Sequence, residues 1–155
     1  MTATTKFEEY FSPILEEQKA ANGVAKIQFS DADRMDRYIA DSRSEDVYPG
    51  IFVMRPKYSG SLMDKAIMYS IFFVQFYVFV GGQLDNDASQ DDAYNLSESI
   101  VSEIVKKVFA DYREWKVYFD FNSLQVEPVA YFVLDAAWGY EVKMKIGIQV
   151  GDVFS

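Results

Sequence analysis

Apolar residues recur at helical spacing in several parts of the chain. The N-terminal stretch Thr5–Asn22 shows this spacing and ends before Gly23, which predicts a helix there. Pro13 should kink that helix or mark a new start after Ser12. A second, short helix is expected to run to about Ala40 from a cap near Ser30. The broadest stripe predicts one long amphipathic helix over about 91–113. Its apolar face carries Ala93, Leu96, Ile100, Val101, Ile104, Val105, Val108, Phe109 and Tyr112.

Other apolar runs have the period or the composition of strands. Val24–Phe29 alternates, Ile51–Met54 follows a Pro-Gly turn signal, and Lys57–Ser61 is expected to be a loop. Leu62–Val80 is apolar on both faces toward its end, which is typical of a covered central strand. Fully extended, the apolar part would span roughly 50 Å, about twice an ordinary strand. It must therefore be bent by a bulge, be shared between two sheets, or project beyond the domain.

The C-terminal third is predicted to be an antiparallel hairpin. Val117–Phe121 and Leu124–Leu134 are extended, Asp135–Gly139 forms a connection, and Tyr140–Val150 alternates strictly. Pro128 indicates an edge strand or a bulge. The pattern as a whole predicts an α+β fold in one domain over 1–155. A mostly antiparallel sheet with a long C-terminal hairpin would pack against the long helix, accompanied by N-terminal helices.

Composition narrows the chemistry. The chain contains no cysteine and no histidine, which excludes disulfides, thiolate or imidazole metal ligands, and triads built on histidine. Half of its 155 residues are hydrophobic, so a packed core is expected, and the net charge is -9. No basic residue lies between Lys65 and Lys106, which argues against nucleic-acid binding, because that takes clustered lysines and arginines. An acidic surface suits solubility, and it could also repel DNA that passes through a lumen.

Two acidic groups and one pair of glycines are the local candidates for chemistry. Residues 85–91 alternate acids as in a calcium loop, but Gln90 and Leu96 occupy the glycine and glutamate positions of that motif. The candidate ligands are Asp85, Asp87, Ser89 and Asp91, and the alternative is a solvated loop whose Asp91 and Asp92 cap the next helix. Asp120 and Asp135 could act as acid–base carboxylates, although no third catalytic group accompanies them. Gly81-Gly82 lacks the spacing of a nucleotide-binding motif.

The aromatic residues allow a packed core or a ligand pocket. The residues concerned are Phe72, Phe73, Phe76, Tyr77, Phe79, Tyr118, Phe119, Phe121, Tyr131 and Phe132. Trp138, next to Gly139, is expected at a hairpin tip, where it would serve an interface or fold back onto the domain.

The order of the elements and their apolar, acidic or amphipathic character resemble those of a known family. An N-terminal helix, a long apolar strand, an acidic break, one amphipathic helix and a long hairpin are similar to the tail terminator (tail completion) proteins of long-tailed bacteriophages and contractile injection systems. The resemblance is carried by Tyr48–Met54, Tyr69–Gly82, Asp91–Val108 and Ala137–Ile148.

The resemblance implies a structural virion protein without catalytic residues, metal or cofactor. Such a subunit forms a ring, commonly a hexamer, that caps the tail tube and joins it to neck, connector or head proteins. DNA would pass through the lumen without specific binding, no membrane would be involved, and assembly would take place in the host cytoplasm. We expect Tyr58, Tyr69, Trp138 and Tyr140 to lie at interfaces between copies or with partners.

Two other functions remain open from the residues alone. A small-ligand or peptide-binding module would use the aromatic strands to surround a cavity. A metal-dependent hydrolase would use Asp85, Asp87 and Asp91 as ligands.

Overall fold

The structure, a computed structural model, describes residues 1–63, 65–131 and 136–155. The elements follow in the order α1 (Ala3–Asn22), β1 (Lys26–Ser30), α2 (Ala32–Asp41), α3 (Ser44–Val47), β2 (Gly50–Met54), β3 (Lys57–Met63), β4 (Ile67–Gly81), α4 (Asp87–Arg113), β5 (Tyr118–Tyr131), β6 (Ala137–Gln149) and α5 (Gly151–Phe154). The predicted α+β class is confirmed. Within the described ranges, no helix is both long enough and apolar enough to cross a membrane.

One six-stranded sheet organises the fold. Its order is β1-β2-β4-β6-β5. β3 pairs with the N-terminal half of β4, Ile67–Phe73, and we call this end of the sheet the lower end. β1 and β2 run parallel, and every other pair of neighbouring strands is antiparallel. β2 and β3 therefore lie end to end along one side of β4, and the 15-residue β4 is central, as predicted. β5 and β6 form the predicted C-terminal hairpin.

The main core lies between one face of the sheet and the helices α1 and α4. Alternate residues of β4, from Phe72 to Val78, point into this core, where Phe7 and Phe11 of α1 stack among them. Ile104 of α4 is completely buried there. We call this the helix side of the sheet. The predicted stripe of α4 thus has its expected role.

The opposite face of the sheet is only partly covered. α2 and α3 close its upper end with a smaller cluster that includes Met35, Ile39, Phe52 and Phe79. Below this cluster the face carries Phe73 and, on β6, Lys143 and Lys145, all of them exposed. We call this the open side.

The structure corrects several N-terminal expectations. α1 continues through Pro13, so of the two expected effects of this proline, a kink or a new start after Ser12, the new start is wrong. Asp31, rather than Ser30, caps α2, with its carboxylate accepting from the Arg34 amide at 2.8 Å. The short helix α3 follows α2 over Ser44–Val47.

The middle of the chain departs most from the sequence analysis. Lys57–Ser61, predicted as a loop, belongs to β3, and the long strand begins at Ile67 instead of Leu62. The cause is a reversal between Met63 and Ile67, which folds β3 back onto β4. β3 has no buried residue, so its sequence lacks the alternation by which strands are predicted.

The acidic segment and the last hairpin also differ. α4 begins at Asp87, and Asn86 caps it by accepting from the Ser89 amide at 3.0 Å. Asp91 and Asp92 therefore lie inside the helix and do not cap it. The predicted break between the two parts of β5 is an irregularity between Asp120 and Gln125 within one strand.

Candidate functional site

The turn end of the β3–β4 pair exposes a concentration of apolar side chains. All seven residues of β3 are exposed, and Leu62 and Met63 retain 60% and 56% of their accessible surface. Ile67, which pairs with Met63, is 40% exposed. We call residues 57–63 and 65–71 the hairpin end. β1 stops beside Met54, so no strand covers the outer side of β3 in the described structure.

A hollow of about 580 Å³ lies on the open side, next to the hairpin end. We call it the open-side hollow. Its lining is formed by Ser61, Met63, Ile67, Tyr69, Ile71, Tyr112, Trp115, Val117, Tyr118, Asp120 and Lys145. Three segments distant in sequence meet here: the hairpin end, the α4–β5 connection and β6. Apolar and aromatic groups dominate, with one carboxylate and one ammonium group at its border.

The α4–β5 connection brings the largest ring to this hollow. The helix ends at Arg113, and Trp115 adopts a left-handed backbone conformation with φ of 62°. The Lys116 amide then donates to the carbonyl of Asp111 at 3.0 Å, which closes the turn. Trp115 is left 89% exposed, the most exposed large hydrophobic residue in the described chain. Such exposure is unusual for tryptophan, and the ring adds to the apolar surface of the hollow.

Lysines lie over an exposed ring beside the hollow. The Lys57 and Lys145 ammonium groups lie 5.4 and 5.1 Å from the centre of the Phe73 ring. Cation–π contacts of this kind are worth about 0.5–1 kcal/mol at exposed sites. They hold both lysine side chains close to the open side.

A second apolar depression lies along β5 on the helix side. It has a volume of about 360 Å³, and its apolar lining comes from Val101, Val105, Phe109, Phe121, Leu124 and Val126. Phe121 is 59% exposed, although its ring contacts those of Phe109 and Phe119. We call this depression the β5 groove. The molecule thus has exposed apolar surface at both lateral edges of its sheet.

Two of the four residues predicted at interfaces lie at the hairpin end. Tyr58 is 41% exposed on the helix side, with its ring 5.3 Å from that of Phe72. Tyr69 lines the open-side hollow and accepts a hydrogen bond from the Gln149 amide at 3.3 Å. Both positions leave the side chain accessible to a partner.

The other two residues predicted at interfaces, Trp138 and Tyr140, lie away from the hairpin end. Trp138 belongs to β6, paired with Val80 and Ala130, and is 3% exposed. The predicted hairpin tip at Trp138 is therefore wrong, and the residue packs within the chain. Tyr140 is half-buried, donates to Glu98 at 3.2 Å and contacts the Tyr94 ring.

The acidic candidates do not come together. Asp87, Ser89 and Asp91 lie in α4, so they cannot form the loop that a calcium site requires. No group of three acidic residues suited to a metal occurs in the part of the chain that the structure describes. The Asp120 carboxylate belongs to a local turn, where it accepts a hydrogen bond from the Asn122 backbone amide at 3.1 Å. Asp135 and Phe132 lie outside the described residues.

One buried carboxylate joins the helices instead. Asp111 is 4% exposed, and it accepts from the Tyr10 hydroxyl at 2.9 Å and from Lys107 at 3.1 Å. Burial, together with the bond to this carboxylate, raises the pKa of Tyr10 well above its usual value. The group links α1 to α4.

Sequence reasoning missed Tyr112, Trp115, Met63 and Ile67 as surface residues. A signal existed for Trp115, because a large aromatic residue stands in the polar stretch 113–116 just after a helix. For Met63 and Ile67 the apolar pattern suggested a continuous strand, and only the reversal exposes them.

Comparison of the chain with protein-family models gives no match, and comparison with curated protein sequences gives no significant match.

Proposed function

We propose that this protein is a structural subunit without enzymatic activity that assembles with copies of itself into a ring, as the tail terminator proteins that its sequence resembles do. The ring would cap a tail tube and join it to neck, connector or head proteins. The observation that carries this proposal is the hairpin end, where a whole strand lies exposed and bears large apolar side chains.

The energetics favour association. Burying one leucine or methionine side chain contributes about 1.5–3 kcal/mol. Leu62 is exposed on the helix side of the hairpin end, whereas Met63 and Ile67 line the open-side hollow together with Trp115. A monomer rarely exposes such a contiguous apolar surface without using it. Contact with another copy would bury it.

The charge suits a ring through which DNA passes. The net charge is -9, and the outward side of α4 carries exposed acids such as Asp91, Asp92 and Glu98. Acidic groups facing a lumen would repel phosphates and prevent the duplex from adhering. Localisation in a virion tail, with assembly in the host cytoplasm, belongs to the same proposal.

Native mass spectrometry and negative-stain electron microscopy test it directly. We expect closed oligomers of a single size at high micromolar concentration, and rings at the ends of purified tail tubes after mixing. A strict monomer that also ignores tail tubes would contradict the proposal.

A second candidate, a small-ligand or peptide-binding module, is favoured by the open-side hollow. An aromatic-lined hollow of this volume accommodates a small ligand. Short aromatic peptides can be titrated while tryptophan fluorescence is recorded, since Trp115 is exposed and the other tryptophan, Trp138, is buried. Saturable quenching that the Trp115→Phe variant loses would support binding, and an unchanged spectrum would argue against it.

A further inference from the structure

Three strands of the sheet, β1, β3 and β5, have an outer side that no other strand covers among the described residues, and β3 and β5 offer the longer edges. β3 pairs only with β4, and its outer side lies below the end of β1; this is the β3 edge, residues 57–63. β5 pairs only with β6, and its regular upper part is the β5 edge, residues 125–131. Open edges present backbone donors and acceptors to which another strand can add.

We infer that the β3 edge of one copy pairs antiparallel with the β5 edge of the next, so that the sheet continues from subunit to subunit. This inference rests on the proposed function and names the contact by which the ring would form. The contact is head-to-tail, because one copy uses one edge and its neighbour uses the other. Contacts of this type close into rings when the rotation between copies permits it.

Strand direction supports this pairing. The order β3-β4-β6-β5 alternates in direction, so β3 runs opposite to β5. Leu62 lies level with Met68 of β4, and Val126 lies level with Phe76, eight residues further along that strand. When a second copy is placed in the same orientation and shifted by eight residues along the strands, its β5 edge meets the β3 edge as an antiparallel neighbour. The helix sides of both copies then lie on the same side of the extended sheet.

The lengths of the edges also match. β1 ends beside Met54 and blocks pairing above β3, which leaves the seven residues of β3 free. On β5 the irregularity between Asp120 and Gln125 limits regular pairing to seven residues, Gln125–Tyr131. Aligning the two segments places Leu62 opposite Val126, and both of these side chains lie on the helix side.

Side-chain chemistry is complementary on both sides of this contact. On the helix side, the exposed Leu62 would cover the end of the β5 groove at Val126, and Tyr58 would lie opposite Ala130. On the open side, the only charge of the β3 edge is Lys57 and the only charge of the β5 edge is Glu127. In this alignment the two opposite charges lie on the same side of the sheet, four positions apart.

Pro128 is the one unfavourable feature of the β5 edge, since proline lacks an amide hydrogen. In the proposed alignment it lies opposite Gly60, where a side-chain carbon added to the glycine would meet no atom within 4 Å. The proline ring therefore has space, and the contact loses at most one hydrogen bond.

Cysteine cross-linking tests the pairing, because the natural chain has no cysteine. The alignment places Ser61 opposite Glu127, and opposite residues on antiparallel strands lie about 5 Å apart at Cβ. A Ser61→Cys/Glu127→Cys variant should give a ladder of covalent oligomers with a short bis-maleimide. A mixture of the two single variants should give only dimers, and each single variant alone should give none. Ser61→Cys combined with Ser99→Cys, on the exposed surface of α4, is the matched control and should give no ladder.

The outcomes separate this inference from the proposed function. If light scattering shows oligomers but the double variant gives no ladder, the pairing is wrong and ring assembly stands. If Ser61→Cys alone cross-links to dimers, the β3 edges pair with each other and the inference is overturned. If the uncross-linked protein remains monomeric at every concentration, the proposed function fails together with the pairing.

Discussion

At the scale of single residues, Gly139 shows how closely β6 approaches β4. A side-chain carbon built there would lie 1.7 Å from the carbonyl oxygen of Val78, which also accepts a hydrogen bond from the buried Ser97 at 2.8 Å. Only glycine fits at this distance without moving the backbone.

We therefore expect Gly139→Ala to lower the free energy of unfolding by about 1–3 kcal/mol, measured by urea denaturation. Gly60→Ala is the matched control, because nothing lies within 4 Å of the added carbon, and it should change stability by less than about 0.5 kcal/mol. Equal stabilities of the two variants would show that Gly139 is not sterically restricted.

Because of the hydrogen bond between Tyr10 and Asp111, the free energy of unfolding decreases at alkaline pH. The pKa of Tyr10 is raised from 10.0 in the folded state by burial and by the carboxylate. Above about pH 10 the unfolded chain therefore releases a proton that the folded chain retains, so the free energy of unfolding falls as pH rises. Tyr10→Phe removes this hydrogen bond and should therefore lower the free energy of unfolding by about 0.5–1.5 kcal/mol at pH 7.

The same variant should flatten the alkaline decline, which thermal melts from pH 8 to 11 would measure. Part of the decline will remain, because burial also raises the pKa of Tyr77 to about 12. An identical decline in the variant and the natural protein would assign the effect to other tyrosines.

At the scale of elements, α4 supplies the apolar face that covers the sheet. Ile104 is fully buried in the main core, and Ser102 is exposed two residues earlier on the same helix. Ile104→Ala should cost about 2–5 kcal/mol of unfolding free energy, because it leaves a cavity under the helix. Ser102→Ala should cost less than about 0.5 kcal/mol. Urea denaturation of both proteins distinguishes a packing helix from one held by its own propensity.

Elements with a strong local pattern were predictable from the sequence. The stripe of α4 and the alternation of β6 each record which side is buried, so the pattern carries the structure. β3 could not be found in this way, because it is extended only through pairing with β4 and buries nothing. Trp138 was misplaced because β6 begins at Ala137, inside the connection expected over Asp135–Gly139, and the flanking glycine suggested a turn.

At the scale of the whole molecule, the candidate site could not be read from the sequence. The open-side hollow joins Ile67, Trp115 and Lys145, which are far apart in the chain and are brought together only by the sheet. Tyr58 and Tyr69 were predicted as interface residues, and their positions at the hairpin end leave them accessible. The apolar residues around them were missed, because exposure of the hairpin end depends on where β1 stops and where the chain reverses.

Leu62 and Leu84 offer a controlled test of assembly. They are 60% and 65% exposed, but Leu62 lies on the β3 edge and Leu84 lies in the turn before α4. If the hairpin end is an interface, Leu62→Ser removes apolar area that association would bury, worth about 1.5–3 kcal/mol. Self-association should then weaken about tenfold or more in sedimentation-velocity titrations, since 1.4 kcal/mol corresponds to a factor of ten. Leu84→Ser removes a similar exposed side chain and should leave the association constant unchanged. Equal weakening by both variants would indicate non-specific hydrophobic aggregation, and no weakening by either would exclude the hairpin end from the interface.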